Sequence, residues 1–392
     1  MHRTVRVCVV AVLVACKKEV PNAAPLAPSA PPSFRQADAS VPPIPRASAS
    51  AVPASSVPRS KGRCRARVAD EPKPIRGAGV FVTREGKIRV VVNDDGNPRF
   101  VDATLGTLKA SASPCAVAGE TLFCASKKGI VVRHDTKGSA NVIEDAASAR
   151  ISAVKTSNAE IVAYLRAAQT SSGIIREAWA RGPDGQMVKI SDDGAGATAV
   201  DVIATGDRIF FITAEARGSL ATIAVRPASV KEGRLALAPA NVIFAGGGGD
   251  YLLEPRGVLS SSNRLVVATV LPRDLHAFGG ASLLLDPEHL THVEPVWSLY
   301  PRGLDDAPFA VTLHQGAVWM VRARPSSAEP HSSLLLELGQ VDDAGHFVTV
   351  GERMAPENPT RLAVTSERDA LVVYIDSDLG GQRERWTCGQ VH

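Results

Sequence analysis

Seven stretches of this chain repeat one short theme: "REGKIRVVV", "AGETLFCAS", "SNAEIVAYL", "TGDRIFFIT", "SSNRLVVATV", "HQGAVWMVRA" and "RDALVVYID". Each has a turn residue followed by four to seven strand formers rich in Val, Ile, Leu and Phe. The turn residues are Gly86, Gly119, Asn158, Gly206, Asn263, Gly316 and Asp369. All are types that tolerate positive φ or turn geometry, which a tight hairpin demands. Helix-period patterns are scarce and short strand runs recur throughout, so the body is predicted to be all-β.

The turn residues stand 33, 39, 48, 57, 53 and 53 residues apart. Repeats of roughly 40–50 residues that each hold several strands are the signature of a β-propeller. Second hairpins occur in some units, as at Pro183-Asp184-Gly185 and Asp342-Asp343-Ala344-Gly345, and two hairpins make a four-stranded blade. Residues 61–392 thus resemble a propeller of seven four-stranded blades. The drifting spacing leaves six or eight open, and a pair of β-sandwiches is the structural alternative.

Cysteine placement fits a closed ring. In "CAVAGETLFC" a two-residue Gly119-Glu120 turn pairs Ala118 with Thr121 and, counting outward, Cys115 with Cys124. That last pair is a non-hydrogen-bonded one, where Cα atoms approach to about 4.5 Å, within disulfide reach. By elimination Cys64 pairs with Cys388, joining "GRCRARV" to "RERWTCGQV" at opposite ends of the body. Free thiols or a metal site are the alternative, although four Cys without CxxC spacing make a poor zinc motif.

The N-terminus reads as an address. Arg3 and Arg6 precede an apolar run from Val7 to Val14, far short of the roughly 20 residues needed to span a bilayer. A positive start, a short apolar run and a small residue make an export signal. Leu13-Val14-Ala15-Cys16 then resembles the lipobox of bacterial lipoproteins. The resemblance implies a signal peptide over residues 1–15 and acylation of Cys16 as the mature N-terminus. It also implies anchorage to a bilayer through that lipid, with the outer membrane favoured because Lys17 is not an aspartate. Residues 16–60 are rich in Pro, Ala and Ser and cannot bury enough apolar surface to order themselves, so they are expected to form a semi-stiff, disordered tether. The body is placed in the periplasm or at the cell surface.

The net charge is +4, from 44 basic and 40 acidic residues mixed along the chain, which argues against a nucleic-acid stripe. No Trp-Asp or paired-glycine blade signature, sialidase-type box, Gly-x-Ser-x-Gly elbow, His-Glu-x-x-His helix or Walker loop is present. The weak candidates are few. Trp297, Tyr300 and Arg302 in a predicted loop could contact a ligand, and His289 with His292 could meet a metal. Trp179, Trp319 and Trp386 read as core. No cofactor is expected, and a monomer is. The function expected is a binding or scaffold module that presents loops to a protein or glycan partner in the envelope. The alternative is a hydrolase or lyase on a polymer, with its active site at the central channel.

Overall fold

The computed structural model describes residues 64–68, 79–82, 88–94, 97–100, 115–119, 121–125 and 129–135. Beyond these it describes residues 138–171, 173–217, 220–247, 254–274, 277–298, 308–326, 333–355, 359–377 and 380–388. The predicted signal peptide, Cys16 and the tether lie outside the described residues.

Regular structure among the described residues is all strand, arranged in seven antiparallel sheets that follow one another along the chain. We number them in chain order: sheet 1 (residues 79–100), sheet 2 (115–143), sheet 3 (146–189), sheet 4 (196–247), sheet 5 (256–298), sheet 6 (309–354) and sheet 7 (359–388). Within each, strands pair in chain order as an up-and-down meander. Sheet 4 adds Asn241–Gly247, which pairs along one half of its long third strand, Leu220–Lys231, while Arg234–Leu237 pairs along the other.

The first strands of the sheets are Gly79–Val82, Cys115–Ala118, Ala146–Lys155, Gly196–Thr205, Arg256–Leu259, Phe309–His314 and Pro359–Glu367. Each lies beside the next, and the last lies beside the first. This closed circuit of first strands, with every sheet running outward from it, is a β-propeller.

The apolar runs of the sequence motif follow from that stacking. A strand buried on one face alternates apolar and polar residues; one buried on both faces has no polar side to offer. In sheet 3, Val162 and Tyr164 pack toward sheet 2, while Ile161, Ala163 and Leu165 pack toward sheet 4. In sheet 4, Ile209 and Phe211 face sheet 3, whereas Phe210 and Ile212 face sheet 5. The same split sends Val318 and Met320 toward sheet 5, and Trp319 and Val321 toward sheet 7. All of these side chains are buried, each contributing on the order of 1.5–3 kcal/mol for the larger ones.

The hairpins before these strands obey the predicted turn chemistry. Ala118 closes on Thr121, Thr205 on Arg208, and His314 on Ala317. Gly119 (φ 63°), Gly206 (φ 56°), Asn263 (φ 57°) and Gly316 (φ 83°) sit in the left-handed region that a tight hairpin requires. In sheet 7 the positive φ falls on Arg368 (31°), one residue before the predicted Asp369.

Closure of the ring uses the other end of the chain. Cys64–Val68 pairs with Gly380–Cys388 as the outermost strand of sheet 7, in the register Cys64 opposite Cys388. The two cysteines form the predicted disulfide, with Cα atoms 4.0 Å apart and 324 positions between them in sequence. In sheet 2, Cys124 is also disulfide-bonded, and the residue opposite it is Cys115.

Candidate functional site

The polar side chains that the fold draws toward its middle sit on the first strands. In "GATAVDVIAT" of sheet 4, Val200 and Val202 are core residues and Asp201 between them is buried. A buried carboxylate is costly unless its oxygens accept hydrogen bonds. Asp201 Oδ1 accepts the Ser152 hydroxyl of sheet 3 at 2.7 Å and its neighbour's backbone N–H, Val202 N, at 3.0 Å. Asp201 Oδ2 accepts the backbone N–H of Gly257 in sheet 5 at 2.9 Å. Val202 N–H also donates to Ser152 Oγ at 3.2 Å. One carboxylate thereby joins three successive first strands. A Cβ on Gly257 would meet Ile212 Cδ1 at 2.2 Å, so a side chain there would have to displace that methyl.

A second polar tie joins sheets 6 and 7. His314 Nδ1 and Ser366 Oγ are 2.7 Å apart, and the imidazole stands edge-on to Trp319 at 6.0 Å between ring centroids. Burial pushes the His314 pKa down, only partly offset by Asp369. His134 in sheet 2 is similar: it is buried, its Nδ1 lies 2.6 Å from Ser139 Oγ, and burial depresses its pKa as well. Both rings fold as neutral imidazoles. In the window between the depressed folded value and the ordinary 6.5, the unfolded chain binds more protons than the folded one. Stability from these groups is therefore complete above about pH 6.5 and declines on acidification, with a slope of up to about 1.4 kcal/mol per pH unit for each histidine. Urea titrations from pH 7 to 5 should show this slope, flattened in a His134→Gln/His314→Gln variant. An equal slope in both proteins would refute the assignment.

Cross-links continue among the hairpins at the ends of these strands. Ser157 Oγ donates to the Asp207 carboxylate, and Ser261 Oγ donates to Gly316 O at 2.6 Å. Arg208 pairs with Glu288 of sheet 5 at 2.7 Å. Arg133 of sheet 2 pairs with Glu160 of sheet 3 at 2.9 Å, and the Thr121 hydroxyl reaches the same carboxylate. Among the described residues these groups tie sheets 2 to 7 each to the next.

Several residues singled out in the sequence lie apart from this arrangement. Trp297 is not in a loop: it lies in the fourth strand of sheet 5, opposite Ala281, half-buried against the core of sheets 4 and 5. The run Val296–Ser298 is short but paired, and the indole covers apolar neighbours. Tyr300 and Arg302 lie outside the described residues. His289 is largely exposed and its Nδ1 lies 3.0 Å from Asp286 Oδ2, while His292 Nε2 lies 3.7 Å from Glu294. Among the described residues no three His, Cys, Asp or Glu side chains gather as a metal would require.

Sequence reasoning missed Asp201, Ser152 and the His314–Ser366 pair. No family model and no curated protein matches this chain. Solved structures similar to it include the N-terminal domain of Nup159, with 9% identity over 84% of this chain and 96% of that one and a TM-score of 0.48. A subtype N10 neuraminidase-like protein of A/little yellow-shouldered bat is 7% identical over 84% of this chain and 99% of that one, with a TM-score of 0.46. The GH32 β-fructofuranosidase of Bombyx mori is 9% identical over 85% of this chain and 92% of that one, with a TM-score of 0.37.

Proposed function

We propose that this chain is a lipid-anchored envelope lipoprotein whose propeller is a binding or scaffold module for a protein or glycan partner. The observation that carries the reading is the use made of four polar side chains described on the first strands. Asp201, Ser152, His314 and Ser366 are spent on joining sheets to one another, and a rigid ring is what a presenting scaffold needs. The anchor follows from Leu13-Val14-Ala15-Cys16, and the Pro/Ala/Ser-rich stretch after it serves as the spacer. Because one acyl chain holds a protein only weakly, several on Cys16 are expected.

Metabolic labelling with a fatty-acid analogue should mark the wild-type chain and leave Cys16→Ser unlabelled. Equal incorporation in both would end the lipoprotein reading. Cross-linking in intact cells, followed by affinity capture of the anchored chain, should then recover a specific envelope protein or glycan. Recovery of only non-specific background would count against the scaffold reading.

A further inference from the structure

The outer strand of sheet 3 holds a thioether that is both open to solvent and tied to the core. The turn Pro183-Asp184-Gly185 brings the chain back as Met187–Lys189, which pairs with Trp179, Ala180 and Arg181. Met187 stands opposite Arg181, which stands opposite Val162, so its side chain shares the face of Val162 and Tyr164 that packs toward sheet 2. From there it reaches over the third strand, and Sδ accepts the Tyr164 hydroxyl at 2.9 Å. Tyr164 is fully buried, whereas Met187 is 44% exposed. The phenol also has a neighbouring carboxylate. Burial pushes the Tyr164 pKa up and Asp145 adds to it, so the hydroxyl keeps its proton. Asp145 Oδ2 accepts Arg166 Nε at 2.7 Å, while Oδ1 is buried and, among the described residues, has no hydrogen-bond partner. One phenolic proton therefore stands between a sulfur, weak as an acceptor, and an unsatisfied carboxylate oxygen.

We propose that Met187 is an oxidation site whose state decides whether the outer strand of sheet 3 is latched to Tyr164. A hydroperoxide supplies the oxygen. A sulfur lone pair attacks the peroxide, an S–O bond forms, the O–O bond breaks, and the second peroxide oxygen leaves as water or alcohol with the proton. Sulfur loses the two electrons that the peroxide gains. The thioether has two lone pairs; the phenol engages one, and the new oxygen takes the other. The 2.9 Å contact leaves no space for an oxygen atom within it. Sulfoxide sulfur carries partial positive charge and ceases to attract the phenolic proton, which turns to Asp145 Oδ1. The outer strand then loses this tie to the core, and enzymatic reduction of the sulfoxide restores it.

The full chain is treated with dilute hydrogen peroxide and mapped by peptide mass spectrometry. Met187 and Met354, which is 50% exposed, should each gain one oxygen, while Met320, 4% exposed, stays unmodified in the folded protein. Oxidation should lower the thermal midpoint by about 1–2 °C, what one hydrogen bond is worth in a body of this length. It should also speed hydrogen exchange across residues 179–189. Both effects should persist in Met354→Leu, be absent from Met187→Leu, and be reversed by a methionine sulfoxide reductase. Tyr164→Phe, which lacks the hydroxyl, should show the faster exchange before peroxide and no further change after it. Three results would each overturn the proposal: Met187 resisting peroxide while Met354 is converted, oxidation of Met187 with unchanged exchange, or a Met187→Leu protein that responds as the wild type does.

Discussion

Replacing Cys64 and Cys388 together by serine should lower the thermal midpoint of the ring by roughly 4–7 °C. The polar links between sheets described above join chain neighbours, whereas this bond, within sheet 7, joins residues 324 positions apart. For so long a loop the chain-entropy model gives about 5.8 kcal/mol, and because native disulfides contribute at most about 5, a stabilisation of about 3–5 kcal/mol is expected. Unfolding entropy near 2.1 cal/mol/K per residue converts that, for a body of this length, into the stated shift. The variant should also fail locally first. Cys64–Val68 is an edge strand held by one neighbour, so trypsin should cut after Arg65 and Arg67 in the variant under conditions where the wild type resists. Scanning calorimetry and limited proteolysis read both effects. An unchanged midpoint with no new cleavage would show that the backbone pairing with Gly380–Cys388 closes the ring unaided.

What was legible in the sequence was local. The hairpin from Cys115 to Cys124 has its register set by one two-residue turn, so counting outward from Gly119-Glu120 gives the observed pairs. The positive φ values at Gly119, Gly206, Asn263 and Gly316 were readable because few residue types accept them. Apolar runs such as "RIFFIT" were legible as strands, and their burial on both faces follows from stacking between neighbours. The polar ties were not legible. Asp201 meets Ser152 and Gly257, 49 and 56 positions away, and no spacing rule foretells a bond between first strands whose separation drifts from sheet to sheet. One missed signal was present: Arg176-Glu177-Ala178-Trp179 and Arg383-Glu384-Arg385-Trp386 repeat the same pattern. In both third strands the indole N–H donates to the glutamate two residues back, at 3.2 and 3.1 Å. Trp297 was misplaced because a three-residue strand leaves almost no period to detect.

That repeated glutamate carries the second large effect. Glu384 is fully buried and ion-paired with Arg353, which reaches across from the fourth strand of sheet 6 with Nε 2.7 Å from Oε2. Gln382 Nε2 donates to the same carboxylate at 3.0 Å and Trp386 Nε1 at 3.1 Å. The seam is tight: a Cβ on Gly351 would meet Trp386 Cζ3 at 2.8 Å and Cys64 O at 2.9 Å. Glu384→Ala therefore leaves a partly exposed guanidinium and a buried indole N–H without their acceptor. The expected loss is about 3–4 kcal/mol, read by urea denaturation. A buried pair can be worth less than its apolar replacement even when breaking it is costly, so Glu384→Leu/Arg353→Met should recover most of that loss. A Glu384→Ala protein as stable as a surface variant would mean that the pair is solvated. A double variant no better than the single one would mean that Glu384 acts through Gln382 and Trp386 instead. With the expected pattern, sheet 7 is held by two devices: a covalent bond to its outer strand and an ion pair, on a buried carboxylate, to sheet 6.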